Sequence, residues 1–214
     1  MEQTYDVIVV GAGPAGLSAA LILGRSRRSV LVCDTGRPRN AASHALHGYL
    51  TRDGIPPAEF LAIGRRELGQ YDTVRLIPVG AAAAECVEGG RFRVTLEDGQ
   101  VATSRKLLLA TGVADRLPGV EGIDALYGRS VFHCPYCDGW EVRDQPLAVY
   151  GRGARGAGLA LELTAWSRDL VLCTDGPGEI EDEDRRRLER ARIAIREERI
   201  AALEGRDGIL ERIR

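Results

Sequence analysis

Lysine is almost missing from this sequence. Lys106 is the only one; the other basic residues are arginines, offset along the chain by 31 acidic residues. A formal net charge of −2 leaves no basic surplus to neutralise phosphates, so nucleic acid is not expected as a partner. An unbroken apolar run is missing as well. The longest apolar stretch, residues 7–24, is interrupted by Gly11, Gly13, Pro14 and Gly16. Glu2 and Asp6 precede it, and Arg25, Arg27 and Arg28 follow it with no cleavage-site pattern. That excludes a signal peptide or a membrane span there, and a soluble, cytoplasmic chain is expected. The cysteines are odd in number: Cys33, Cys86, Cys134, Cys137 and Cys173. Five thiols without a secretion signal do not make a disulfide scaffold.

What is present is ordinary for a globular protein, with 44% hydrophobic and 28% charged residues. A length of 214 residues suits one large domain or two small ones, each with a buried core.

Residues 5–10 form a short β-branched run that ends at Gly11-Ala12-Gly13-Pro14-Ala15-Gly16. A helical pattern follows, with Leu17, Ala20, Leu21 and Leu23 along it, then a strand over 29–33 with Asp34 at its end. Strand, G-x-G-x-x-G, helix, strand and acidic residue together make a dinucleotide fingerprint. Gly11 allows the tight turn, Gly13 the approach of backbone to pyrophosphate, and Gly16 the close packing of helix on sheet. Pro14 suits a first-turn position, where its missing N–H costs nothing. The helix N-terminus would face the phosphates, and Asp34 would accept from a ribose hydroxyl.

Residues 36–54 are polar and irregular, long enough to cover a ligand, and carry Asn40, His44 and His47. A helix is expected over 57–68. Short alternating runs at 74–79, 81–87, 91–96 and 101–103, separated by Glu88-Gly89-Gly90 and Asp98-Gly99, predict an antiparallel meander. It leads into an apolar strand ending at Ala110-Thr111-Gly112, placed to re-enter the parallel sheet. Residues 115–128, rich in glycine and proline, mark a hinge.

A second copy of the opening pattern follows. A strand over 147–150 precedes Gly151-Arg152-Gly153-Ala154-Arg155-Gly156, an apolar helix over 157–166, and a strand over 170–174 with Asp175 after it. Gly11 and Asp34 are 23 residues apart; Gly151 and Asp175 are 24. Two units so alike in layout predict two dinucleotide sites. A charged helix is expected over 179–190, braced by Glu181–Arg185, Asp182–Arg186 and Glu183–Arg187 at i, i+4. Strands at 193–195 and 200–203 and a hairpin into 209–213 complete the reading.

Between the two units lies Phe132-His133-Cys134-Pro135-Tyr136-Cys137-Asp138-Gly139. A C-x-x-C pair commonly holds one thiol below the ordinary value near 8.5, and the thiolate is the attacking species in disulfide exchange. Asp138 is placed to return a proton to a departing thiolate. The bland alternatives are half of a zinc knuckle, a zinc site completed by histidines, and an inert buried pair. No second C-x-x-C exists at knuckle spacing, so no metal is expected.

These motifs, G-A-G-P-A-G, A-T-G at 110–112, C-P-Y-C-D-G and G-R-G-A-R-G, resemble in order and spacing the low-molecular-weight thioredoxin reductases and their flavoprotein relatives. The resemblance spans the whole chain. It implies an α/β fold of two Rossmann-like dinucleotide-binding units, three-layered, with a parallel sheet and an inserted antiparallel meander. Residues 1–115 would belong to an FAD-binding domain, and residues 116–214 to a nicotinamide-nucleotide-binding domain that carries the C-x-x-C. It further implies that Gly11, Gly13, Pro14, Ala15, Gly16 and Asp34 bind FAD, with Asn40, His47, Thr111 and Gly112 lying against it. Cys134 and Cys137 would be the redox pair, the first exchanging with substrate and the second facing the flavin, with Asp138 as acid/base. Gly151, Arg152, Gly153, Gly156 and Asp175 would take NADH or NADPH. The partner implied is a protein or small-molecule disulfide or dithiol, the assembly a homodimer, and the working motion a rotation at the 115–128 hinge.

Three departures shape the expectation. The family's C-terminal glycine-aspartate segment has no match here, so the second unit is expected to be incomplete. Asp175 follows the second strand of the second unit where a 2′-phosphate needs arginines, which favours NADH, or no nucleotide, over NADPH. Pro135-Tyr136 separates the cysteines in place of a small pair, a pattern shared with flavin-dependent dithiol oxidases. Three functions therefore stay open: a reductase driven by NAD(P)H, an oxygen-dependent dithiol oxidase, and a non-catalytic nucleotide-binding module or redox sensor.

Overall fold

The computed structural model describes residues 4–214. Its contacts divide the chain into two compact units. The first runs to Ala45 and resumes over Gly54–Arg116; the second comprises Leu46–Asp53 and Leu117–Arg214.

The first unit opens with β1 (Thr4–Val10), α1 (Pro14–Arg25) and β2 (Val30–Cys33). After α2 (Pro57–Leu68) come β3 (Val74–Ile77), β4 (Ala81–Val87), β5 (Arg91–Leu96) and β6 (Val101–Leu109). They form one six-stranded sheet in the order β3-β2-β1-β6-β5-β4. The β1–β2, β2–β3 and β1–β6 pairs are parallel, whereas β4–β5 and β5–β6 are antiparallel.

Alternation along the inner strands assigns each face its cover. Val9, Val30 and Val32 pack with Leu17 and Ala20 of α1 and with Leu61 and Leu68 of α2. Tyr5, Ile8, Leu31 and Cys33 pack instead with Val94 and Leu96 of β5. Helices, parallel strands and meander are thus three layers, as the fold class predicts. Burial pushes the Cys33 thiol up to about 11, which makes it a core residue rather than a nucleophile.

Two strand expectations need correction. The run at 74–79 does not belong to the meander: β3 joins the parallel edge, with Val30 opposite Val74 and Cys33 opposite Ile77. The segments at 101–103 and 106–109 are one strand. Ser104-Arg105 reads as a polar break, but Ser104 is fully buried with its hydroxyl donating to the Lys106 carbonyl, and pairing with β1 continues through it.

In the second unit, α3 (Ile123–Leu126) and α4 (Pro135–Asp138) are short. They precede β7 (Leu147–Tyr150), α5 (Gly153–Glu162), β8 (Leu170–Cys173), α6 (Asp182–Arg190) and β9 (Ala194–Arg196). The parallel sheet β7-β8-β9 is packed by Ala157 and Ala160 of α5 and Leu188 of α6. A hairpin follows, β10 (Leu203–Arg206) with β11 (Ile209–Ile213), so the strand expected at 200–203 begins only at its last residue. The bracing of α6 also differs. Arg187 pairs with Asp184 at i, i+3, 2.9 Å apart, and Arg185 turns off the helix to Glu197 at 2.8 Å. Among the described residues no helix is long and apolar enough to cross a membrane.

Candidate active site

The first glycine-rich turn is built tightly at two points and left open at a third. A Cβ on Gly11 would lie 2.3 Å from the Ala110 carbonyl oxygen, and one on Gly16 would lie 1.8 Å from the Gly11 carbonyl oxygen. Gly11 also has φ +102°, a backbone state that L side chains rarely adopt. A Cβ on Gly13 would meet nothing within 4 Å. The open position lies directly before α1, with Pro14 in its first turn and no acidic side chain to compete for the helix N-terminus. A pyrophosphate fits this cradle.

Asp34 stands at the end of β2. One carboxylate oxygen accepts from the Ala12 N–H at 3.1 Å, and the other pairs with Arg65 at 3.0 Å. It holds the shape of the turn and, as a carboxylate with about four acceptor positions, keeps capacity for a ribose hydroxyl. Asn40 lies in a single helical turn, Arg39–Ala42. Arg39 grips Asp115 with two hydrogen bonds of 2.7 and 2.6 Å, which joins that turn to the chain just past Thr111 and Gly112. Packing of Ala110 and Thr111 backbone on Gly11 places the exit of β6 beside the first turn. Thr111 and Gly112 are exposed there, and Gly112 has φ +66° with open space at its Cβ position. His47 is placed differently. It lies in the segment that packs with the second unit, its ring nitrogens each 3.6 Å from a carboxylate, Asp53 on one side and Glu141 on the other.

Cys134 and Cys137 are joined by a disulfide, their Cα atoms 5.3 Å apart. Cys134 caps α4, and the N–H groups of Cys137 and Asp138 both donate to its carbonyl, at 3.2 and 3.3 Å. Gly139 must be glycine: a Cβ would lie 2.4 Å from the Pro135 carbonyl oxygen and 3.0 Å from the Trp166 indole nitrogen. Tyr136, between the cysteines, stands edge-on to Trp166 and is 72% exposed. Trp140 is also exposed, with the Arg143 guanidinium 4.0 Å over its ring. The disulfide therefore lies in a segment that also carries two exposed aromatic side chains.

Asp138 follows the second cysteine directly. Burial pushes its carboxyl above the usual carboxylate range; His133 and His47 pull it back down, and Glu141 adds to the rise. A carboxyl held protonated to higher pH is suited to giving a proton to a thiolate. His133 stacks on Tyr127, whose hydroxyl is 2.9 Å from its Nδ1. Glu141 and Tyr127 carry no motif, and nothing in the sequence singled them out.

The second glycine-rich turn repeats the tight packing of the first. A Cβ on Gly151 would lie 2.8 Å from the Gly156 Cα, and one on Gly156 would lie 2.5 Å from the Gly151 carbonyl carbon. Its middle position differs. The Gly153 N–H already donates to the Gly178 carbonyl at 2.7 Å. Arg152 turns away from the glycines, its Nε donating to the Thr174 carbonyl at 2.6 Å and its terminal nitrogen to the Asp175 carbonyl. The Asp175 carboxylate accepts from the Ile200 N–H at 2.9 Å and pairs with Arg152 at 3.4 Å and Arg199 at 3.7 Å. The middle amide of this turn, Arg152 and Asp175 are thus all engaged within the chain.

A doubly wound pattern at both ends of the chain with a C-x-x-C between them matches a known family over residues 5–209, that of the pyridine nucleotide-disulphide oxidoreductases. The chain belongs to that family. A "Probable thioredoxin reductase" of Arthroderma benhamiae is 40% identical over 180 residues, covering 82% of this chain and 45% of that protein. The thioredoxin reductase tcpT of Claviceps purpurea is 38% identical over 182 residues, covering 82% and 57%. The crystal structure of HlmI superposes with a TM-score of 0.90 at 40% identity, covering 97% of this chain and 66% of that one. The chain thus spans about half the length of the curated relatives it matches. Family membership explains why two glycine-rich turns and a dithiol recur at these spacings; which of them work is a matter for the geometry above.

Proposed function

We propose that this chain performs thiol–disulfide exchange through Cys134 and Cys137 as part of a flavin-dependent oxidoreductase acting on a protein or small-molecule disulfide or dithiol. The observation that carries this reading is the disulfide itself, on a short helical turn with a partly buried, proton-retaining carboxyl immediately after it. Gly11 to Gly16, Asp34, Thr111 and Gly112 would hold FAD, with Asn40 close by. When bound, that flavin would supply the two-electron couple that resets the cysteine pair.

The chain's own residues account for the exchange. A substrate thiolate attacks one sulfur of the Cys134–Cys137 pair, or, in the opposite direction, the Cys134 thiolate attacks a substrate disulfide. Either way a mixed disulfide forms, and the second thiol resolves it. Asp138 supplies the proton that the departing sulfur needs. Tyr136, between the two cysteines in sequence, and Trp140 offer exposed aromatic surface on the same segment. NADH or NADPH is the donor in the reductase direction and a substrate dithiol in the oxidase direction. The state of the second glycine turn decides between them.

Incubating the chain with excess dithiol and counting alkylatable thiols tests the exchange. Two additional thiols, mapped to Cys134 and Cys137, are expected. A thiol count that stays constant would contradict the proposal.

Asp138→Asn gives a second readout. The exchange rate is expected to fall by about a hundredfold or more, the usual contribution of a positioned acid. Expressed per attacking thiolate, the native rate should be highest where Asp138 is protonated and decline as pH rises through its raised pKa. That limb of the profile should vanish in the variant. A native carboxyl with a raised pKa also disfavours folding once it ionises, so the variant is expected to match the parent in stability at low pH and exceed it at higher pH.

A further inference from the structure

We infer that the second glycine-rich turn is sealed by the chain's own residues 174–180 and admits no nicotinamide dinucleotide, so that a dithiol is the reductant this chain receives. The first and second turns share a layout but differ at the middle glycine. A Cβ on Gly13 would meet nothing within 4 Å; at Gly153 the N–H donates to the Gly178 carbonyl at 2.7 Å, and the Glu179 carbonyl oxygen is in ordinary contact, 3.6 Å, with the Cβ position. Backbone N–H groups are what such a turn offers a phosphate, and here the central one is spent.

The sealing segment is held from several directions. Thr174, fully buried, donates its hydroxyl to the Gly176 carbonyl at 2.6 Å. The Gly176 N–H donates to the Glu197 carbonyl at 3.0 Å, and the Gly178 N–H to the Glu197 carboxylate at 3.3 Å. Arg185 bonds both that carboxylate, at 2.8 Å, and the Ile180 carbonyl, at 3.2 Å. Asp175 and Glu179 have φ of +52° and +51°, a region costly for residues with side chains. A segment keeps such angles only when its surroundings fix them. Asp175, the residue placed to read a ribose, is committed to Ile200, Arg152 and Arg199. A nucleotide would have to break these contacts before forming its own.

The direction of exchange follows, given the redox role of Cys134 and Cys137 proposed above. A substrate dithiol gives up two electrons and two protons and becomes a disulfide, while the Cys134–Cys137 disulfide opens to two thiols.

Binding is the direct test. NADH and NADPH are titrated separately into the full 214-residue chain by calorimetry, and exchange of the Gly153 amide is followed by NMR with and without each nucleotide. No saturable heat is expected up to millimolar nucleotide, and the Gly153 amide should stay protected throughout. A micromolar dissociation constant for either nucleotide, or a Gly153 amide that exchanges at the rate of an exposed loop, would overturn the inference. Neither readout depends on disulfide turnover, so failure here leaves the dithiol assignment standing, and failure of the thiol count leaves this one standing.

Discussion

Cys137→Ser is expected to reduce disulfide turnover to background while leaving the fold unchanged. A serine hydroxyl fits the volume of the thiol but cannot resolve a mixed disulfide, so the reaction stops halfway. Given the disulfide form of its substrate, the Cys134 thiolate would attack, expel one substrate thiolate and remain covalently bound, and intact-mass measurement of the variant after that exposure should show the protein plus one substrate moiety. Cys134→Ser should block exchange before that adduct forms. The asymmetry rests on the proposed role of Cys134 as the exchanging sulfur. Equal trapping by both variants would reverse the two roles. Turnover surviving in either would remove the dithiol from the mechanism.

The second large effect separates shape from binding at the first turn. Gly16→Ala places a methyl 1.8 Å from the Gly11 carbonyl oxygen, and that neighbour is backbone, so the helix and strand must part. Overpacking of this kind costs about 1–3 kcal/mol, readable as a lower urea midpoint. Gly13→Ala meets nothing within 4 Å and should leave the midpoint where it is. Its methyl would occupy the space where a pyrophosphate approaches, so FAD affinity should fall by about tenfold or more, or about 1.4 kcal/mol. Flavin fluorescence quenching measures the one and urea denaturation the other. A Gly13→Ala protein that binds FAD as the parent does would show that this turn is not the flavin cradle.

Much of this was legible in the sequence because glycine and cysteine spacings report backbone geometry directly. Gly11 and Gly16 are glycines because a carbonyl lies where their Cβ would be, and that requirement leaves a mark in any sequence that folds this way. The pairing of β1, β2 and the end of β6 followed from apolar runs bounded by glycine turns. Polar interruptions were harder. Ser104 looks like a strand break and is instead a buried residue whose hydroxyl finds its own backbone, so a nine-residue strand read as two. The run at 74–79 has the same composition whether it joins a meander or a parallel edge, and only tertiary pairing chooses.

The candidate site divides in the same way. Cys134, Cys137 and Asp138 are adjacent in sequence and adjacent in space. His47, read with the first turn, packs instead with the second unit through Asp53 and Glu141, a contact no local pattern records. The two G-x-G-x-x-G motifs looked equivalent because their glycines are. What distinguishes them is a hydrogen bond from Gly153 to a carbonyl 25 residues on, and a clamp from Glu197, neither of which has a sequence signature. Charge gave one hint: Asp175 in place of arginine already argued against a 2′-phosphate.

The central claim is that electrons reach a flavin in this protein through Cys134 and Cys137. Anaerobic mixing of the FAD-loaded chain with one equivalent of dithiothreitol, followed in the blue absorbance band of the flavin, tests it most directly. Bleaching of the band by the parent protein, and its absence in a Cys134→Ser, Cys137→Ser double variant, is the predicted result. Equal bleaching in both proteins, or none in the parent, would contradict the account.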